Sequence, residues 1–209
     1  MASRGRAERV TWIRTIPDDE ATEPLTPLYQ QDLDTLGFVM ESTKSLSVRP
    51  ELAAAYAAFR QAVWSTAGLT LRERRLINLL VAHQVRSRYC ALLYATMLER
   101  DLGGPEGIRT VLGDRHRARL SAREIAILDY ALAAAAGCAT PEHVGRLRDV
   151  GVDDAAILDV ALTANLRLFG SRVYEALGVE ADPFFLEQTD LVEATASSHP
   201  AAAAEGGSV

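Results

Sequence analysis

The stretch that decides the fold runs from Thr70 to Gly104, TLRERRLINLLVAHQVRSRYCALLYATMLERDLGG. Thr70 and Glu73 stand at the S/T-x-x-E spacing of a capping box, in which each side chain satisfies an otherwise free backbone N–H at a helix start. Leu76, Leu79, Leu80 and His83 follow at helical spacing. A second apolar helix carries Cys90 and stops at Gly103-Gly104, because glycine closes helices readily. Two such helices in succession, with no strand-type alternation around them, predict an all-α protein.

The same grammar extends in both directions. Upstream, a helix is predicted from Pro24 to Leu36, stopped by Gly37, and Pro50 opens ELAAAYAAFRQAVW, with Leu52, Tyr56, Phe59 and Val63 on one face. Downstream, a short helix starts at Pro105. Ser121 and Glu124 make a second capping box, Thr140-Pro141 starts a further helix, and Asp153 or Asp154 caps the longest one, with a kink predicted near Gly170. The count is roughly seven or eight helices. The segments LTLRERRLINLLVA (69–82) and LSAREIAILDYALA (120–133) share a leucine, a capping hydroxyl, a charged turn and an apolar helix. This is either a weak internal repeat or the shared grammar of helix starts. Residues 1–20 read as a partly ordered lead-in, 21–190 as one helical domain and 191–209 as a disordered tail poor in bulky apolar residues.

Composition narrows the function. A chain of 209 residues, 48% of them hydrophobic, buries a core without disulfides or metals. The net charge is −6 with arginines scattered, so no basic patch points to nucleic acid. No apolar run is long enough to span a membrane, and the N-terminus lacks a signal-peptide core, which predicts a cytoplasmic protein. Cys90 and Cys138 lie far apart, arguing against a structural disulfide. No CxxC pair or histidine cluster suggests a metal, and no cofactor is called for.

Cys90 is the residue that carries chemistry, if any does. A cysteine reacts as its thiolate, which a helix start, a cation or a histidine favours. Arg86 and Ser87 precede Cys90, Tyr94 follows one turn on, and His83 lies two turns back if one helix runs through. Arg86 supplies a cation, Ser87 a hydrogen bond, and Tyr94 a proton or a grip on a ligand. The alternative is a small inert core residue.

Several segments decide for a wider context: LYQQDLDTLGFV, SVRPELAAAYAAFR, GLTLRERRLINLLVA, YCALLYATMLERDLGG, LSAREIAILDYALA, GVDDAAILDVAL and FGSRVYEALGVEADP. In order and spacing the chain from Ile16 to Pro183 resembles the alkylhydroperoxidase D-like superfamily, which includes the carboxymuconolactone decarboxylases. Within it the chain resembles the peroxidase-related branch. The resemblance implies an all-α bundle of one or two helical units, an interlocked homo-oligomer, and kinship to oxidoreductases and decarboxylases. The family's peroxidase motif is a glutamate, eleven residues, Cys-x-x-Cys, three residues and a histidine. Carried over, the attacking cysteine is Cys90 and the common tyrosine before it is Tyr89. The resolving cysteine falls on Ser87, the histidine on Tyr94 and the glutamate on Arg75. Ser171 replaces an asparagine of the family, and Arg172 remains.

A serine cannot form the disulfide of a two-thiol cycle, and a phenol is a weak base but a usable donor. His83 is either a core histidine or a displaced acid/base group, and Glu73 reads as a cap. Arg75 in an apolar pocket needs a partner or a bound anion; otherwise it faces solvent or an interface. His116 reads as solvated, and Trp12 and Trp64 as packing residues. Asn165 and Arg167 meet Arg75 or Tyr94, or serve an oligomer interface. Two functions follow. One is an enzyme without the dithiol relay that acts on a small organic molecule, with Cys90, Tyr94, His83 and Ser87 as catalytic groups and Arg75 and Tyr89 as substrate contacts. The other is a non-catalytic oligomeric or binding protein. A one-cysteine peroxidase through Cys90 is a further alternative.

Overall fold

Caps, glycine stops and apolar spacing resolve into eleven α-helices among residues 11–196, the part of the chain that the computed structural model describes. The first five are α1 (Thr26–Leu36), α2 (Glu41–Lys44), α3 (Pro50–Ser65), α4 (Leu71–Gln84) and α5 (Arg88–Leu102). The rest are α6 (Pro105–Gly113), α7 (Ala122–Ala135), α8 (Pro141–Asp149), α9 (Asp154–Ala176), α10 (Pro183–Leu186) and α11 (Thr189–Ala196). The all-α class holds, but the count exceeds the seven or eight predicted. The additions have a simple cause: α2 and α10 span four residues each, too few to show a 3.6-residue period. α11 overlaps the predicted tail. Its sequence is small and polar, yet Leu191 and Ala194 are buried in the core. Residues 1–10 of the lead-in and 197–209 of the tail lie outside the described residues.

α4 lies at the centre and packs on α5, α7 and α9. Its residues from Leu76 to His83 are all buried, the mark of a helix enclosed on every side. Arg74 joins it to two neighbours. The guanidinium is 2% exposed. It donates to the Val63 and Thr66 carbonyls at 2.9 and 2.6 Å, to the Thr66 hydroxyl at 2.6 Å and to Thr163 at 3.3 Å, and faces Asp159 at 3.9 Å. One side chain thus closes the end of α3 against α4 and α9. α3 buries only part of the predicted stripe. Ala53 and Val63 are buried, while Leu52 and Phe59 are 67% and 50% exposed, because alanines set the close approach to the core and turn the larger residues outward.

The weak repeat has a structural counterpart. Both capping boxes form, and they are cross-linked reciprocally: Arg72 pairs with Glu124 at 2.6 Å and Arg123 with Glu73 at 2.8 Å. Equivalent residues exchanging partners is the pattern a two-fold relation generates. The correspondence continues through the helix ends. The Ser87 amide donates to the Ala82 carbonyl and the Cys138 amide to the Ala133 carbonyl, each at 2.9 Å. The residue before each is left-handed, with φ of 61° at Arg86 and 71° at Gly137. The turn at Val85–Ser87 also separates α4 from α5, so His83 and Cys90 stand on different helices.

Glycine takes this conformation freely, whereas a residue with a Cβ costs about 1 kcal/mol or more in it. Arg86→Gly is therefore expected to stabilise the protein by about 1 kcal/mol, a rise of about 2–4 °C in Tm for a chain of this size. Thermal unfolding of the two proteins at one pH checks it; an unchanged or lower Tm refutes it.

Candidate active site

Three helix faces bring the chemistry together. Ser87 is the N-cap residue of α5, and Ser87, Cys90 and Tyr94 follow at the i, i+3, i+7 spacing of one helical face. On α9, Arg167, Ser171 and Tyr174 share a face at the i, i+4, i+7 spacing. α3 adds Tyr56 and Arg60, one turn apart. Ser87, Cys90 and Ser171 are 0% exposed, and the hydroxyls of Ser87, Ser171 and Tyr56 have no hydrogen-bond partner among the described protein groups.

Arg167 dominates the electrostatics. It is 5% exposed, its Nε has no acceptor, and no carboxylate among the described residues pairs with it. The guanidinium carbon lies 5.3 Å from the centre of the Tyr94 ring. Removing such an ion from water costs several kcal/mol after relaxation, and a cation–π contact returns about 0.5–2 kcal/mol. Tyr94 therefore does not offset the burial. Burial works against the charge of Arg167, and Cys90, Tyr94, Tyr174 and Tyr56 raise its pKa once they ionise at high pH; near neutral pH the guanidinium is charged, as an arginine is. Burial pushes the Tyr94 phenol up despite the opposing pull of Arg167, and burial with Tyr56 does the same to Tyr174. Both phenols stay protonated near neutral pH and act as donors. The arrangement is a thiol, a fixed cation and several hydroxyl donors, all withdrawn from water.

Tyr56 and Tyr174 continue into the wall of a cavity of about 20 Å³, which Asp32, Ser42, Ala53 and Arg60 also line. That is room for about one water. α1 and α2 cover it from outside.

The other predicted residues divide. Tyr89 presents its ring edge to Tyr174 at 5.9 Å, but its hydroxyl leaves the cluster. It bonds Ser42 at 2.9 Å and Asp182 at 3.0 Å, tying α5 to α2 and to the start of α10. Arg75 lies about two turns along the α4–α5 contact from Cys90, where it reaches the Met97 carbonyl at 3.4 Å beside Arg100 and Phe184. The structure does not bring it to Cys90. His83 is buried in the last turn of α4. Glu73 is a cap, as predicted. Trp64 lies nearly parallel to the Tyr94 ring, 6.4 Å away, whereas Trp12 is 75% exposed. His116 is exposed, as is Asn165, whose amide donates to its own helix. Cys138 is exposed while Cys90 is buried, and both are free thiols. Tyr56 and Tyr174 were missed as site residues because each reads as part of an apolar helix face. The available signal was the i, i+4, i+7 spacing of Arg167, Ser171 and Tyr174.

Comparison with known proteins places this geometry. Residues 50–115 match the carboxymuconolactone decarboxylase family. A peroxidase-related protein of Ralstonia eutropha JMP134, an alkylhydroperoxidase AhpD core, superposes with a TM-score of 0.78 at 21% identity, over 86% of this chain and 96% of that one. A peroxidase-related protein of Silicibacter sp. TM1040 gives 0.70 at 22% identity, over 82% and 93%. The debrominase Bmp8 gives 0.74 at 16% identity, over 89% and 98%. At these identities the likeness is one of fold. No curated protein matches the sequence. Among the described residues no three metal-ligating side chains cluster, and no helix is long and apolar enough to cross a membrane.

The Tyr89 contacts can be tested as a structural link. Tyr89→Phe leaves Asp182 and Ser42 short of a partner and is expected to cost about 1–3 kcal/mol in urea unfolding. A smaller effect would return the Tyr89 hydroxyl to the candidate site. Burial pushes the Asp182 carboxyl up against the bonds from Glu41 and Tyr89 that favour its ionised form. The folded state then holds the proton more tightly than the unfolded state. Stability from this group is complete below the ordinary aspartate range and is lost as pH rises through the raised value. Asp182→Asn, which mimics the protonated form, should gain stability relative to the parent as pH rises from 4 to 7. A difference independent of pH would contradict this.

Proposed function

The chain belongs to the alkylhydroperoxidase D-like superfamily that includes the carboxymuconolactone decarboxylases, and on that premise we propose that it is an enzyme acting on a small organic molecule at the Cys90–Tyr94–Arg167 cluster, without the two-cysteine peroxidase relay. The observation that carries this is the buried guanidinium of Arg167, which faces Cys90 without a carboxylate partner. Stable cores engage their buried charges, as this protein does at Arg74. A charge and three hydroxyls left without protein partners around one thiol favour a site kept for chemistry. Cys90 is the nucleophile, Arg167 supports negative charge that develops at or near it, and Tyr94 donates a hydrogen bond. Ser87 occupies the helix start where the superfamily's resolving cysteine belongs, and Arg75 stands apart, which supports loss of the dithiol cycle. The fold also accommodates small organic ligands: the debrominase Bmp8 has been solved, as a cysteine-to-alanine variant, with 2,3,4-tribromopyrrole.

One observation favours a non-catalytic reading. Cys90 is fully buried and the cavity beside Tyr56 and Tyr174 is about 20 Å³, so substrate access requires the helices around the cluster to move. Two measurements separate the readings. With peroxide and a dithiol reductant the protein should show no sustained turnover, and Ser87→Cys with Tyr94→His should create some. Steady consumption by the parent that disappears in Cys90→Ser would overturn the proposed loss of peroxidase activity. In a Cys138→Ser background, iodoacetamide should modify Cys90 in the folded protein, and Arg167→Gln should slow it about tenfold. A Cys90 that reacts only on unfolding identifies the non-catalytic protein.

A further inference from the structure

We infer that the outward face of α3 is an interface with a second copy of this chain, in which two α3 helices pack antiparallel about a two-fold axis beside Phe169. The inference is independent of the chemistry proposed for Cys90.

The face is made of residues that the core leaves out. Ala53 and Val63 turn inward on α3, while Leu52, Ala55, Phe59 and Ala62 all lie exposed. Their spacing of three, four and three residues is the seam of a helix that packs on another helix. Phe169 of α9 extends the seam sideways. Its ring stands 5.6 Å from that of Tyr56, which lies one turn from both Leu52 and Phe59, and it is 55% exposed. No seam position carries a charge. Single exposed apolar residues are ordinary, but large ones gathered on one face mark an interaction surface.

The order of residues along the seam selects the partner. From Leu52 to Ala62 it reads large, small, large, small. A two-fold axis level with Ala57 sets Leu52 opposite Ala62 of the partner subunit and Ala55 opposite Phe59 of the partner subunit. Each large side chain then meets a small one, and each contact occurs twice, as in every two-fold interface. A parallel pairing would set leucine on leucine and alanine on alanine, alternating crowded layers with gaps. A seam that complements itself in reverse order fits a second copy, and it offers an unrelated partner no charge to fix its register. The seam is about 15 Å long. With Phe169 from both copies the contact buries about 1,000 Å² in total, the lower limit for a specific interface. The dimer is therefore a reversible one.

Sedimentation velocity of the full-length protein from about 1 to 100 μM, under reducing conditions, should show association that dilution reverses. Phe59→Glu and Leu52→Glu should each weaken it by about tenfold or more, since each buries an unpaired charge in the seam. Both positions are exposed in the single chain, so the variants keep the fold, which circular dichroism checks. Leu71→Glu changes an exposed leucine of α4 outside the seam and should associate like the parent. Cross-linking tests the register in a Cys90→Ser, Cys138→Ser background. Ala58→Cys, one residue from the axis, should join two chains through a short bis-maleimide. Ser65→Cys should not, because its two copies lie about 24 Å apart along the seam. A parent that stays monomeric at every concentration overturns the inference, as does any assembly that Phe59→Glu and Leu52→Glu leave intact. Cross-linking of Ser65→Cys as readily as Ala58→Cys overturns the antiparallel pairing. In an assembly larger than a dimer the same variants and the same two cross-links decide whether this face is one of its contacts.

Discussion

A guanidinium taken out of water must find acceptors for its N–H groups and an opposite charge, and among the described residues this protein buries two of them. Arg74 meets the requirement. Two carbonyls, two hydroxyls and a carboxylate surround it, and the position of α3 and α9 against α4 follows from where those acceptors stand. Arg167 lies on the same long helix that supplies Thr163 and Asp159 to Arg74, yet its neighbours are a thiol, phenols and unengaged hydroxyls. Comparison within one core separates the two roles. The first arginine ties α3 and α9 to α4, and the second has no carboxylate partner among the described residues.

The duplicated helix starts show a related division. α4 and α7 share capping boxes, exchanged ion pairs and left-handed exits. At those exits the copies diverge. One carries Arg86-Ser87 and leads into the buried Cys90 helix; the other carries Gly137-Cys138 and opens to solvent. The relaxed glycine lies in the copy without the buried thiol. The strained arginine lies in the copy that directs Ser87 and Cys90 inward, a coincidence of strain and site found often where a backbone serves function.

Helix starts, stops and class were legible in the sequence because they depend on local chemistry. A hydroxyl three residues before a glutamate, a proline at a first position and a glycine past the last turn act through neighbouring residues. The four-residue helices and α11 were not legible, since their stability comes from docking and not from period or composition. The outward face of α3 was misread for the same reason. Leu52 and Phe59 share a stripe with Val63, but which part of a stripe is buried depends on what lies opposite.

The site divides along the same line. By itself the sequence determined that Ser87, Cys90 and Tyr94 share one helical face, since spacing along a helix is set by its geometry. Only the tertiary structure decided that Arg167, and not Arg75, is the cation facing Cys90, that the Tyr89 hydroxyl is engaged with Ser42 and Asp182, and that Tyr56 and Tyr174 join the cluster. Those facts depend on how α3, α5 and α9 cross. The crossings are chosen by the packing of buried surfaces far apart in the chain, on which no local pattern reports.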